Sequence, residues 1–274
     1  MRVDTDDGVG LDVDVRGDGP GLVLVHGFGG CAEDFAGHRD SFGRAHTVVT
    51  FDHRGHGRSE GPAGVDYSLD RLVTDVLCVA DHVGLDRFHL LGYSMGGMVA
   101  RRLALRFPDR LESLVLMNTS GGPTQMMDVD LFELGAGLVE TEGMAALKTV
   151  LDDTDPLGVQ SLDLLDDESP AHREFLRWRW ESLSPAMYAA MLRELPVQPD
   201  DHDALRGLRL PVLAIAGEHD REFLEPTRRL ADVIGGARFV ALPGAGHAPQ
   251  FEAPDLWFDA VSAFLTDLGV PDPS

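Results

Sequence analysis

Residues 92 to 97, Gly92-Tyr93-Ser94-Met95-Gly96-Gly97, constrain this chain more than any other stretch. An apolar run, Phe88-His89-Leu90-Leu91, leads in, and a helical pattern leads out. A serine at the apex of a strand-to-helix turn is held in a sparsely populated backbone conformation. Glycines two positions to either side remove side chains that would strike the neighbouring strand and helix. The Ser94 hydroxyl would then stand exposed, beside the free N–H groups and positive dipole end of the new helix. The strand before the motif and the helix after it supply the context that such an elbow requires.

The rest of the chain agrees with that local reading. Short apolar runs alternate with longer helix-period segments, the pattern of an α/β fold with a mostly parallel central sheet flanked by helices. Candidate strands are Leu11 to Val15, Leu22 to Val25, Thr47 to Phe51, Phe88 to Tyr93, Leu114 to Met117, Val212 to Ala216 and Phe239 to Leu242. Ser68 is placed to cap a helix carrying Leu69, Leu72, Val73, Val76, Leu77, Ala80 and Val83 on one face, with Gly84 as its stop. Met95 to Phe107 reads as the next helix, ended by Pro108. The last, about Pro254 to Leu268, has Leu256, Trp257, Ala260, Val261 and Phe264 at core spacing, and Gly269 to Ser274 reads as a frayed tail. Between Ser120 and Gly207 the alternation stops and helix-period segments rich in Met, Trp and Phe take over. The chain therefore divides into a core, 1–120 and 207–274, and a helical insertion, 121–206.

A serine hydroxyl is a poor nucleophile at neutral pH, so it needs a base, a group that orients the base, and donors for a developing oxyanion. His247 lies in Gly244-Ala245-Gly246-His247, a Gly-rich loop just after the apolar run Arg238 to Leu242, where a base can reach over the sheet. Asp220, in Gly217-Glu218-His219-Asp220, follows Val212 to Ala216 and is the candidate acid. Glu218, two residues away, competes for that role, and the end of the preceding strand, Met117-Asn118-Thr119, offers no carboxylate. Upstream, Leu22-Val23-Leu24-Val25 runs into His26-Gly27-Phe28-Gly29-Gly30. Such a loop would offer the N–H of Phe28 to the oxyanion, and the elbow would offer that of Met95.

The order Ser, acid, His and the His-Gly loop make the chain resemble the α/β-hydrolase superfamily over nearly its whole length. Its Phe51-Asp52-His53-Arg54-Gly55-His56-Gly57-Arg58-Ser59 segment is similar to the loop after the fourth strand in the esterase, lactonase, haloperoxidase-like and C–C hydrolase branches, where it braces the active-site loops. The resemblance implies a triad of Ser94, Asp220 and His247, with Phe28 and Met95 as oxyanion donors and no cofactor. It also implies that the insertion is a lid over the nucleophile. Met126, Met127, Phe132, Trp178, Trp180, Met187 and Met191 would give that lid an adaptable apolar wall, two or three of them touching substrate. The expected reaction is two-step acyl transfer to water on a small to medium carboxylic ester or lactone with an apolar part. One alternative is cleavage of a C–C bond in a vinylogous diketone, with Arg173, Arg177 or Arg179 on its carboxylate. Another is a weakly catalytic ligand sensor on the same fold. Serine at the elbow disfavours dehalogenase and epoxide hydrolase chemistry, whose relatives carry aspartate there.

Charge narrows the partners. The formal net charge is −23, against the basic surface that nucleic acid or an anionic membrane requires. Lys148 is the only lysine beside 22 arginines, a bias that fits a high-GC genome or a halophile. His53 and His56 near Asp52 raise a metal reading, but Arg54 and Arg58 in the same loop would oppose a divalent cation, and no metal is expected. Cys31 and Cys78 read as small apolar residues in separate helices, with no redox or zinc spacing. The first residues lack the apolar core of a signal peptide and no stretch approaches a membrane span, so a cytoplasmic location is expected. Acidic stretches such as Asp152-Asp153-Thr154-Asp155 and Asp166-Asp167-Glu168 read as solvated turns and helix starts.

Overall fold

A computed structural model of the chain describes residues 1–124, 128–154 and 170–270. Among them, eight strands form one sheet: β1 (Arg2–Asp4), β2 (Gly10–Arg16), β3 (Gly21–Val25), β4 (Thr47–Phe51), β5 (Phe88–Tyr93), β6 (Leu111–Met117), β7 (Val212–Gly217) and β8 (Arg238–Leu242). Their order across the sheet is β1-β2-β4-β3-β5-β6-β7-β8. β2 runs antiparallel to β1 and β4, and every later neighbour is parallel. The residue patterns account for the division. β3, β5 and β7 are buried along their whole length, as strands with helices on both faces must be. In β2, buried Leu11 and Val13 alternate with half-exposed Asp12 and Asp14, which suits an antiparallel strand with one wet face.

Strand alternation sends Val23, Val25 and Leu90 to one face and Leu22, Leu24 and Leu91 to the other. The first face is covered by α2 (Leu69–Val83) and α3 (Met95–Arg106), the second by α1 (Ala36–Phe42) and α11 (Pro254–Asp267). In α2 the Ser68 hydroxyl accepts from the Arg71 N–H at 3.2 Å, and Gly84 closes the helix at φ +82, a conformation that favours glycine. Leu77 and Val83, expected on the buried face, sit at its margin. In α11 the core side chains are Trp257, Phe258, Val261, Phe264 and Leu265, whereas Leu256, expected among them, is 46% exposed. Cys31 precedes a short 3₁₀ turn, Ala32–Phe35, and is buried without being helical; Cys78 lies half-buried in α2.

Between β6 and β7 the chain forms α4 (Val129–Glu142), α5 (Met144–Thr154), α6 (Pro170–Glu181), α7 (Pro185–Glu194) and the short α8 (His202–Leu205), with no strand among the described residues. Phe132 and Ala136 of α4 and Met187, Met191 and Leu192 of α7 join the apolar mass that covers the first face of the sheet. Arg101, fully buried in α3, ties both ends of this insertion to the core. Its guanidinium donates to the Gly121 carbonyl at 2.9 Å and the Gln198 side chain at 2.7 Å, and pairs with Asp201. The Asp201 N–H in turn donates to the Gly121 carbonyl at 2.8 Å. Burial brings the Arg101 pKa down to about 10. The chain closes with α9 (Leu224–Val233) after β7, then α10 (Pro249–Glu252) between β8 and α11. Met126, Met127, Asp155, Asp166, Asp167, Glu168 and the last four residues lie outside the described residues.

Candidate active site

Ser94 sits between β5 and α3 at φ +53, one of two non-glycine residues with positive φ among the described residues. The glycines are required by close approach. A Cβ on Gly92 would overlap the Gly96 carbonyl, and one on Gly96 would overlap the carbonyls of Val25 and His26 at the end of β3. The turn is pinned on both sides: the Ser94 N–H donates to the Met117 carbonyl at 2.9 Å, and the Thr119 hydroxyl donates to the Ser94 carbonyl at 2.7 Å.

From Ser94 a continuous chain of polar contacts runs across the carboxyl ends of the strands. Ser94 Oγ lies 3.1 Å from His247 Nε2, and His247 Nδ1 lies 2.8 Å from Asp220 Oδ2. The His247 ring is flanked by Tyr93, at 5.4 Å between centroids, and Phe223, at 5.0 Å. Its loop is braced by the half-buried Glu252, whose carboxylate accepts from the Gly246 N–H. Asp220 is 4% exposed and accepts from three more donors besides His247. Oδ2 accepts from Asn118 Nδ2 at 2.5 Å, and Oδ1 accepts from the N–H groups of Phe223 at 3.0 Å and Glu222 at 3.2 Å. Burial works to raise its pKa, but the hydrogen bonds from His247, Asn118 and Phe223 prevail and hold the carboxyl below its usual range. Glu218 is exposed and receives only a 3.4 Å bond from the Gly244 N–H, so of the two acids it is Asp220 that the fold brings to His247.

Asn118, which no motif marks as a site residue, stands at the end of β6 with φ +46 and donates to both Asp220 and, at 3.1 Å, the Gly246 carbonyl. Its signal in the sequence was only its place: a polar residue directly after an apolar strand. Asparagine tolerates that left-handed conformation better than most residues.

Phe28 lies in a turn after β3 closed by a 3.0 Å bond from the Gly30 N–H to the Gly27 carbonyl, with Gly29 at φ +67 as the turn demands. Met95 opens α3, where a helix leaves its N–H groups without intrahelical partners. Met95 follows Ser94 directly, and Gly27, before Phe28, lies so close that a Cβ there would come within 3.1 Å of the Ser94 Cβ. Histidines brace the turn from beneath. His26 Nδ1 is 2.8 Å from the Gly27 carbonyl and its Nε2 accepts from the His53 N–H at 2.9 Å, while His56 Nε2 accepts from the Gly29 N–H at 3.3 Å. Burial and mutual repulsion push His26 and His53 well below the ordinary imidazole value, and burial takes His56 down to about 4. Asp52 accepts from the N–H groups of Ala32 and Arg58, both at 2.7 Å, so its segment does brace the neighbouring loop. No group of three potential ligands suited to a metal ion occurs among the described residues.

The insertion meets this turn directly. Tyr188 of α7 lays its ring 4.5 Å from that of Phe28, and Trp180 packs 5.6 Å from Tyr188. Buried Arg179 of α6 donates from Nε to the Gly29 carbonyl at 2.8 Å and pairs with the fully buried Asp34 at 3.3 Å. Of the expected apolar wall, Phe132, Met187 and Met191 are buried in the core mass, and half-buried Trp178 lies under the Arg58 guanidinium at 4.9 Å. Arg173 and Arg177 are exposed.

Comparison with known proteins places this geometry. A family model described as alpha/beta hydrolase fold matches residues 20–142. A protein of Pseudomonas savastanoi pv. phaseolicola, named "Putative carbamate hydrolase RutD", is 30% identical over 245 residues, covering 86% of this chain and 90% of its own length. The chain belongs to the α/β-hydrolase family. Among solved α/β-hydrolase-like structures, a hydrolase from Pseudomonas aeruginosa PA01 aligns with a TM-score of 0.83 at 30% identity, covering 97% of both chains. An enol-lactonase from Burkholderia xenovorans LB400 aligns with a TM-score of 0.81 at 28% identity, covering 97% of this chain and all of its own. The α/β-hydrolase chain is thus a hydrolase by its relatives, and none of its described helices is long and apolar enough to cross a membrane.

Proposed function

We propose that this α/β-hydrolase cleaves a small to medium carboxylic ester or lactone with an apolar part, through an acyl-enzyme on Ser94. The observation that carries the reading is the unbroken contact path from Ser94 Oγ through the two nitrogens of His247 to the buried Asp220 carboxylate. His247 takes the Ser94 proton as the hydroxyl attacks the carbonyl carbon. The resulting oxyanion is met by the N–H groups of Phe28 and Met95, and His247 then protonates the leaving alcohol oxygen. Water repeats the sequence: His247 removes its proton, hydroxide adds to the acyl carbon, and the acid leaves as Ser94 recovers its hydrogen. Asp220 keeps His247 Nδ1 protonated and offsets the charge of the imidazolium. Residues 121–206 act as a lid whose Tyr188 and Trp180 bear on the oxyanion turn, over a core of 1–120 and 207–274.

The enol-lactonase and the carbamate hydrolase among the relatives are named for acyl transfers of this kind, which supports the class. Of the three arginines that could meet a substrate carboxylate in the C–C cleavage alternative, Arg179 is engaged by Asp34 and Gly29, whereas Arg173 and Arg177 are exposed. Turnover across p-nitrophenyl esters, aliphatic lactones and a dienoate diketone tests the proposal. Esters or lactones should be hydrolysed fastest. A preference for the diketone would replace ester hydrolysis by C–C cleavage, and no turnover at all would favour a ligand sensor.

A further inference from the structure

The loop that leaves β7 carries a carboxylate that the acyl-transfer mechanism does not use. It wraps around Asp220, and Glu222 lies between the acid and Phe223, the residue whose ring packs on His247. Glu222 is half-buried, and its Oε1 accepts from the Thr124 hydroxyl at 2.5 Å. Thr124 belongs to the segment that leads from β6 into the insertion, so Glu222 faces the junction between the candidate triad and the lid. Burial, then Thr124, His247 and Asp220, govern its ionisation, and no Arg or Lys is among them.

Among the described residues Glu222 forms no ion pair, its neighbour in sequence, Arg221, being exposed. Arg179, which reaches the oxyanion turn, is held by the Gly29 carbonyl and Asp34. Residues 125–127 and 155–169, whose positions are not described, contain no Lys, Arg or His and five Asp or Glu. Residues 121–206 as a whole carry 18 Asp and Glu against 6 Lys and Arg, so the field at the lid is negative. We infer that Glu222 is a specificity-determining residue that filters substrates by charge. Esters or lactones that are uncharged or cationic near the scissile carbonyl are accepted, and those with a carboxylate there are rejected. This rests on the ester or lactone hydrolase reading and narrows it.

Three methyl esters of one chain length test the filter: methyl hexanoate, methyl 6-aminohexanoate and monomethyl adipate, followed by pH-stat titration at pH 8 and low ionic strength. For the wild type, kcat/KM on the ammonium ester should exceed that on the carboxylate ester by about tenfold or more, as expected for one charge acting on the substrate at low ionic strength. Glu222→Gln keeps an acceptor for Thr124 and should cut that ratio severalfold. The ratio is the readout, so a general loss of activity in the variant does not move it. High salt should also narrow the ratio in the wild type. Equal kcat/KM for the two charged esters in the wild type, or a ratio untouched by Glu222→Gln, would overturn the filter while leaving ester hydrolysis standing. Failure of all three esters would overturn the hydrolase reading itself, and the filter with it.

Discussion

The loops at the carboxyl ends of the strands and the helical insertion hold the candidate site in different ways. In the loops, functional groups are over-determined: Asp220 accepts from two side chains and two backbone N–H groups, and the Ser94 turn is pinned at both its N–H and its carbonyl. The insertion meets the same loops through a ring face, Tyr188 on Phe28, and through few polar contacts, such as Arg179 to Gly29 and the Ser184 N–H to the Gly55 carbonyl at 2.8 Å. Under the proposed function the difference amounts to a division of labour: the sheet would fix the chemistry, and the insertion would tune fit and access. Changes in the loops should therefore act on kcat, and changes in the insertion on KM and selectivity.

Short of removing the nucleophile itself, the largest effect is expected at the acid. Asp220→Asn leaves His247 with an amide partner and the wrong tautomer, and kcat should fall by about 10⁴-fold with KM little changed. Initial-rate kinetics on a p-nitrophenyl ester measure it, and a loss under about tenfold would show that the acid is elsewhere.

Acid should damage the loops next. His26, His53 and His56 stay neutral in the folded state below the ordinary imidazole value of 6.5, whereas the unfolded chain takes up protons there. Their contribution is thus fully present above pH 6.5 and is lost as pH falls toward about 4, where His56 itself titrates. Each histidine that stays neutral removes about 1.4 kcal/mol of stability per pH unit in that window. Urea midpoints at pH 7.5 and pH 5 should differ accordingly; an unchanged midpoint would mean that these rings are not buried as described.

A smaller effect should follow from the insertion. Tyr188→Ala uncovers Phe28 and should raise KM for an apolar ester by about tenfold while moving kcat less. Should kcat collapse instead, the division between chemistry and fit would fail. The smallest effect is expected for Glu218→Gln, within about twofold in kcat, because exposed Glu218 touches only the Gly244 N–H.

Local signals explain what could be read from the sequence and what could not. The elbow was legible because strand, glycines and helix start all lie within a few residues, and β3 and β7 because their apolar runs are continuous. β1 was missed: Arg2-Val3-Asp4 buries one side chain, and only pairing with β2 makes it a strand. That Asp220 rather than Glu218 meets His247 depends on the folding of their loop against His247 and Asn118, which lie far from one another in sequence. The same holds for Arg101, whose burial depends on Gly121, Gln198 and Asp201 at the two ends of the insertion. Leu256 was misread because helix periodicity gives a face only to within one residue, and Phe258 took the inner place.

The central claim is that Ser94 is the nucleophile, and covalent labelling tests it most directly. A fluorophosphonate should add to the wild type once per chain, at Ser94 by peptide mass spectrometry. It should not add to Ser94→Ala, whose kcat should fall by about 10⁵-fold or more, leaving only what the oxyanion donors and positioning supply. Near-wild-type turnover by Ser94→Ala, or a label on another residue, would contradict the account and point to water activated by His247 without an acyl-enzyme.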